Sequence, residues 1–445
     1  MKKIKKILGL LIAIIIGISL SFLLRDKETH FDYEIDPKYY SDKQSPYEND
    51  FDYAFDTLEK YYALFYRNGT YDFLKNREDY KQEIKNLKTD KEFFDKMNKI
   101  LSDLEDGHTN LLDSRQAHDI KETFTLANDL YPKIVNYDLI NYLFDTKISR
   151  FFDKIFEKSL ADTQNLKVQD INNDIVYLKI RAMIDPESDA FADDLDLLKN
   201  YLKKSKNKRA LIIDIRGNGG GNASYIYDYL YPMIMGKKDF KDTHEYILFR
   251  TDEVFKYDAQ YPEIKRVIKK IKESDFKYME ENIPFLKKDK KMMDDIRKNY
   301  THIIFNPGLE NAGEFGDEYK FNGNLYLLVD RDVYSSAQIA AHFFRDNELG
   351  TIIGEKTGGD GIGTTPAMVK LPNTKYILRF SHQLGLRETE TIEESTYTIP
   401  DIEIPRKDQS QIPSNDGCVK KVIEIETNKW EIKRHIKKCV AFVLR

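Results

Sequence analysis

The sequence predicts an α/β protein of the mixed α+β kind: a mainly parallel sheet with covering helices, preceded by a helical N-terminal region and a membrane anchor. Three observations carry this reading. Strand-like and helix-like patterns alternate between Asp174 and Met235, and the alternation resumes at Asn324. From Phe51 to Leu104, apolar residues recur three and four apart while Pro and Gly are scarce. A β-α-β order favours parallel strands, because the crossover helix brings the chain back to run the same way, and a 3.6-residue period marks one buried helix face.

At the N-terminus, Lys2, Lys3, Lys5 and Lys6 precede Ile7–Leu24, eighteen residues without a charge. At 1.5 Å per residue this stretch reaches about 27 Å, close to the roughly 30 Å core of a bilayer. Its end, Leu20-Ser21-Phe22-Leu23-Leu24, lacks a small-x-small cleavage pattern, and no Cys follows that could carry a lipid. Residues 1–30 therefore read as an uncleaved signal anchor rather than a cleaved secretory peptide. The basic flank stays inside, which puts the rest of the chain outside the cytoplasm.

Residues 31–110 are the helical region, with apolar Phe51, Phe55, Leu58 and Tyr62 on one face and one break at Asn68-Gly69. Residues 111–165 are a connecting segment of mixed pattern. The core spans 166–405. It starts with a strand at Asp174–Ile180, a helix at Asp193–Lys203 and a buried-type strand at Ala210–Ile215. The turn Arg216–Gly221 and a helix at Tyr225–Met235 follow. Residues 236–320, rich in Lys, Glu and Asp and largely helical over Pro262–Lys298, interrupt this order as an insertion, a lid or a spacer. The core resumes with strand Asn324–Val329, helix Ser336–Phe344 and strand Thr351–Gly354. Met368–Leu371 and Tyr376–Phe380 then flank Pro372-Asn373-Thr374 as a hairpin. Residues 406–445 are a tail.

Composition excludes some partners. With 41% hydrophobic and 33% charged residues the chain is of ordinary globular make-up, and a net charge of −5 leaves no basic footprint for nucleic acid. Its two cysteines, Cys418 and Cys439, have neither zinc-site nor redox-motif spacing; in an oxidising compartment they could pair and staple the tail.

Three segments carry chemistry. In Asp214-Ile215-Arg216-Gly217-Asn218-Gly219-Gly220-Gly221 a buried strand runs into a Gly-rich turn. Its backbone N–H groups are unobstructed and suit an oxyanion or a phosphate. Read alone, it is equally a tight turn needing positive φ, with Asp214 and Arg216 an ion pair that fixes it. A Rossmann pattern fails because Asn222 falls where its last glycine belongs, and no Gly-Lys-Ser/Thr follows to make a P-loop, so a phosphate or nucleotide binder at Gly217–Gly221 is the weaker reading. In Tyr334-Ser335-Ser336-Ala337-Gln338 a strand delivers two serines to the start of a small-residue helix, whose N-terminus favours negative charge. Alone, that pair reads as a helix cap. In Glu105-Asp106-Gly107-His108-Thr109 an Asp-Gly turn presents His108, a side chain able to take a proton near neutrality.

Together with Gly354-Glu355-Lys356-Thr357-Gly358-Gly359 and Ile399-Pro400-Asp401-Ile402, these segments resemble, in order and over about residues 50–405, peptidase family S41. That family includes the C-terminal processing (tail-specific) proteases and the tricorn core. The resemblance implies a serine peptidase with Ser335 as nucleophile, acting on a polypeptide and needing no metal or other cofactor. In the Ser–Lys members a Lys base follows the Gly-rich segment; here Asp360 stands in its place, and Lys356 is out of register. The tricorn-like branch is closer: His108 as base, and a Glu six residues before the Pro-Asp pair, which is Glu394, with Glu393 beside it. The N–H groups of Gly220 (or Gly219) and Ser336 would receive the oxyanion. Gln338 stands where the pattern usually has Glu, and the stretch after His108 is too short for the PDZ domain of many relatives. The alternative is a catalytically inactive protein of the same fold that binds peptides or apolar ligands.

Overall fold

The computed structural model describes residues 35–66, 69–130, 133–144, 164–236, 245–306, 315–360 and 365–443. The anchor expected at residues 1–30 lies outside them. No helix among the described residues is long and apolar enough to cross a membrane.

Helices α1 (Pro46–Tyr61) and α2 (Asp90–Leu101) dominate the N-terminal region. Each opens with a capping box, Ser45 with Glu48 and Thr89 with Glu92, which satisfies N–H groups that the first helical turn leaves without partners. Their apolar faces, including Phe51, Phe55, Leu58, Phe93 and Met97, are buried.

Among the described residues the strands form three sheets. The main one has six strands: β2 (Leu166–Asp170), β3 (Ile175–Ile180), β4 (Ala210–Asp214), β8 (Asn324–Val329), β9 (Gly350–Gly354) and β13 (Ile402–Glu403), in the order β13-β9-β8-β4-β3-β2. Every neighbouring pair is parallel except β2 with β3. All five residues of β4 are buried, as expected of a parallel strand covered on both faces. One face packs Leu211, Ile213, Leu327 and Val329 in a core shared with α3 (Asp189–Ser205) and α4 (Ser336–Asp346). The other sets Ile212, Tyr326 and Leu328 in a core with Cys418, Val419 and Val422, from the start of α5 (Gly417–Val443). The C-terminal segment expected as a tail thus closes one face of the main sheet. Cys418 and Cys439 lie on this one helix, about 31 Å apart along its axis at 1.5 Å per residue. A disulfide needs Cα atoms within roughly 7 Å, so the two cannot pair within one chain.

The second sheet, in the order β12-β5-β7-β6, joins β5 (Glu245–Phe249), β6 (Lys269–Lys270) and β7 (His302–Asn306) to β12 (Gln383–Arg387). Residues 236–320 are therefore not simply a helical insertion, lid or spacer. Tyr246, Leu248, Phe255, Met279, Phe285 and Ile296 from this stretch share one hydrophobic core with the α1 and α2 side chains. In the third sheet β1 (Asn110–Leu111) and β10 (Ala367–Lys370) flank β11 (Ile377–Phe380), and the expected hairpin is the antiparallel β10–β11 pair. The buried Asp50 of α1 accepts the N–H groups of Asn373 (2.8 Å) and Thr374 (2.7 Å), tying this hairpin to the helical region.

Candidate active site

The Gly-rich loop leaves the carboxyl end of β4 and is braced by charge. Asp214, buried, accepts from Lys179 Nζ at 3.0 Å, Tyr177 Oη at 2.6 Å, the Arg216 N–H at 2.9 Å, and Arg216 Nε and Nη2 at 3.0 and 2.6 Å. Burial alone would raise the Asp214 pKa, but the Lys179 and Arg216 charges more than offset it and hold the carboxyl down at about 2. Arg216 Nη1 also donates to Asp416 at 2.7 Å, just ahead of α5. Asp214 and Arg216 are thus the ion pair that fixes the turn.

Beyond this brace the loop folds on itself. The Gly217 N–H donates to Asp330 Oδ1 and the Gly220 N–H to Asn218 Oδ1, both at 2.9 Å. A phosphate cradle would need these groups free, which counts against the nucleotide reading. It also removes Gly220 from the expected oxyanion donors. Gly220 is needed for another reason: its φ is +106°, and a Cβ there would lie 2.8 Å from Ser335 Cβ and 2.9 Å from the Ser336 nitrogen. The loop therefore lies directly against the two serines. The N–H groups of Gly219, which is exposed, and of Ser336, the first residue of α4, have no partner among the described residues and remain available to negative charge.

Ser335 is the N-cap of α4, yet its side chain makes no capping hydrogen bond, so a capping role does not explain it. Its backbone sits at φ +54°, ψ −127°, a conformation that costs a non-glycine residue of order 1–3 kcal/mol. It is held there by its own N–H, which donates to Gly359 O at 3.1 Å, and by the Tyr334 N–H, which donates to Asn218 O, also at 3.1 Å. Ser335 is half-buried, whereas the Ser336 hydroxyl is enclosed without a hydrogen-bond partner among the described residues.

His108 reaches the same place from the N-terminal region. The Asp106 carboxylate accepts the His108 N–H at 3.0 Å and the Tyr334 hydroxyl at 3.1 Å. Gly107 passes so near Tyr334 that a Cβ would lie 3.0 Å from the ring's Cζ, and the His108 and Tyr334 rings meet edge to face at 4.7 Å. Arg379 of β11 holds the turn from outside by donating to Gly107 O at 2.9 Å.

Nδ1 of His108 is paired with Oδ2 of Asp360, both side chains being largely buried. Sequence reasoning noted Asp360 only as the residue standing where a Lys base would be. The structure does not bring Glu394 to His108. Glu394 is exposed and its carboxylate accepts the Thr391 N–H at 3.1 Å, closing a capping box on a short helix. Lys356 Nζ donates to Glu393 Oε1 at 2.9 Å on the surface, and this hydrogen bond raises the Lys356 pKa, the wrong direction for a base. Gln338 is buried and donates to Thr398 Oγ1 at 2.9 Å, with His342 Nε2 2.8 Å from the same amide nitrogen. Burial pushes His342 well below its ordinary pKa, so the amide faces a neutral ring, a setting that suits Gln better than Glu. Besides Asp360, sequence reasoning missed Asn218, Tyr334 and Asp106. The only signal for them was position, next to the glycines, the serine and the histidine. No group of three or more His, Cys, Asp or Glu among the described residues is arranged to hold a metal ion.

Residues 174–404, more than half of the chain, match the model of peptidase family S41. The chain belongs to that family and is a serine-type peptidase. No curated protein sequence matches it. Among solved structures it is similar to a protein from Parabacteroides merdae (17% identity, 86% of this chain and 97% of that one, TM-score 0.47). It is also similar to mature CPAF (13%, 80% and 92%, 0.47) and to the photosystem II D1 C-terminal processing protease (13%, 83% and 96%, 0.38).

Proposed function

We propose that the chain hydrolyses peptide bonds of polypeptides outside the cytoplasm through an acyl-enzyme on Ser335, with His108 as base and Asp360, not Glu394, as the carboxylate that orients it. The observation that carries this reading is the His108–Asp360 pair, set against Tyr334 immediately before Ser335. Ser335 Oγ attacks the carbonyl carbon as its proton passes to the imidazole. The carbonyl oxygen gains negative charge and is met by the Gly219 and Ser336 N–H groups. The imidazolium then protonates the leaving amine, and water repeats the sequence to release the acid. Asp360 on Nδ1 keeps that nitrogen a donor and leaves Nε2 free to accept. A fluorophosphonate probe tests the reading. It labels the wild-type chain at Ser335 and leaves Ser335→Ala unlabelled, whereas labelling that persists in Ser335→Ala and disappears in Ser336→Ala sinks the assignment.

The location is part of the same proposal and rests on Lys2–Lys6 followed by Ile7–Leu24, which read as an uncleaved anchor with the catalytic region outside. The protein then stays in the membrane fraction under alkaline carbonate and is digested by protease added to intact cells. A soluble form beginning near residue 25 in the medium would instead reveal a cleaved signal.

A further inference from the structure

A groove of about 690 Å³ lies at the carboxyl ends of β3, β4 and β8, lined also by residues of the 406–413 segment. Open α/β sheets bind ligands at this end of their strands. Lys167, Lys179, Arg181, Asp214, Asp330 and Arg406 are its charged lining residues beside Arg216. Gly217 lines it too, two residues before Gly219, so the groove borders the active-site loop.

Its charged groups are not equivalent. The two carboxylates are already engaged: Asp214 accepts the five hydrogen bonds described above, and Asp330 accepts the N–H groups of Gly217 (2.9 Å) and Asp332 (3.1 Å). Arg406 is paired with Asp332 at 2.7 Å. The side chains of Lys167 and Arg181 are exposed and have no partner among the described residues. The groove thus offers two unpaired cations, while its carboxylates already accept hydrogen bonds, through both oxygens of Asp214 and through Oδ1 of Asp330. That is a surface for carboxylates.

We infer that this groove binds an acidic segment of the polypeptide substrate, next to the active site; the inference rests on the Ser335 reading above. Carboxylates of the segment lie against Lys167 and Arg181, and its backbone continues past Gly217 toward Gly219. The groove then selects among substrates by the charge of a flanking segment, acting on binding and not on the chemical step, so it appears in KM and not in kcat.

The test separates the groove from the chemistry. Binding of a fluorescent oligo-glutamate peptide to the full chain carrying Ser335→Ala is measured by anisotropy, with and without Lys167→Glu and Arg181→Glu together. The charge reversal weakens binding about tenfold or more, and added salt weakens binding to the unreversed chain. The milder pair Lys167→Gln and Arg181→Gln moves binding the same way by less, which guards against misfolding. With Ser335 intact, the reversal raises KM for a peptide with an acidic flank, leaves kcat alone, and leaves both constants unchanged for a neutral peptide. Equal binding before and after reversal, or equal KM changes for acidic and neutral peptides, overturns the inference. So does binding of tripolyphosphate without binding of oligo-glutamate. A chain that cleaves neutral peptide but does not bind oligo-glutamate loses the groove and keeps the Ser335 reading. Charge-dependent peptide binding by a wild-type chain that cleaves nothing keeps the groove and removes the Ser335 reading.

Discussion

Asp360 faces Nδ1 of His108 at the point where a Ser–Lys peptidase of this family would carry its lysine. A carboxylate there cannot act as the lysine would, but it can fix the tautomer of an imidazole base and stabilise the imidazolium. Asp360→Asn keeps the shape and removes the charge, and should lower kcat/KM by about 10²-fold or more, mainly in kcat. Glu394→Gln should stay within about twofold of wild type, because that carboxylate caps an exposed helix turn. Lys356→Ala should also retain activity, since its ammonium is engaged with Glu393 at the surface. Steady-state kinetics of the three variants on one unstructured peptide decide the matter: an inactive Glu394→Gln beside an active Asp360→Asn would reverse the assignment.

Gly220 should tolerate no side chain. An added Cβ would meet Ser335 Cβ at 2.8 Å and Tyr334 O at 2.9 Å, and the residue's φ of +106° strains any L-residue with a side chain. Gly220→Ala should cost about 1–3 kcal/mol of stability and displace Ser335, with loss of fluorophosphonate labelling. Gly219→Ala meets nothing within 4 Å, so its stability should stay close to wild type. Thermal unfolding read alongside labelling checks both, and a fully labelled, stable Gly220→Ala would contradict the packing described.

These two sites mark what was legible in the sequence. The parallel core was, because β4 carries the apolar run Ala210–Ile213 and β8 the run Leu325–Val329, local patterns of strand length. The second sheet was not. β5 pairs with β12 from far along the chain, and its four consecutive buried residues, Tyr246–Phe249, sit in a stretch dominated by Lys and Glu. The segments bearing Ser335 and His108 were found because each stands in an ordered motif. Asp360 carries no local signal of a role, since only the fold brings it to His108. Counting back from Pro400 points to Glu394, yet Thr391-Ile392-Glu393-Glu394 carries the spacing of a capping box, a local signal for a helix start.

Acid should loosen the Gly-rich loop through Asp214. Its pKa is held at about 2, below the ordinary 3.8, because Lys179 and Arg216 outweigh the cost of burial. A carboxyl depressed in the folded state contributes stability that is fully present above 3.8 and is lost as pH falls through about 2. The contribution is about 2 kcal/mol. Asp214→Asn lacks it and also leaves Arg216 and Lys179 without their shared partner, so it should be less stable at neutral pH. The gap between the two proteins should narrow as pH drops from about 4 to 2, followed by denaturant unfolding at each pH. A gap that stays constant over that range would show that Asp214 does not titrate as described.

The cysteines give the last prediction. Cys418 is buried at the start of α5, in the core beneath the main sheet, and burial pushes its thiol up to about 12. At pH 8 only about one molecule in ten thousand then carries the reactive thiolate, even before access is considered. Cys439 lies on the same helix, about 31 Å further along, beyond the reach of an internal disulfide. Iodoacetamide at pH 8 should therefore leave Cys418 unmodified in the native chain and alkylate both cysteines after denaturation in guanidinium, with or without prior reduction. Oxidising conditions should not stabilise the monomer, because no loop is closed. Peptide mapping after a non-reducing digest reads the result directly: a Cys418–Cys439 cross-linked peptide from monomeric protein would mean that α5 is not the continuous helix that closes the sheet.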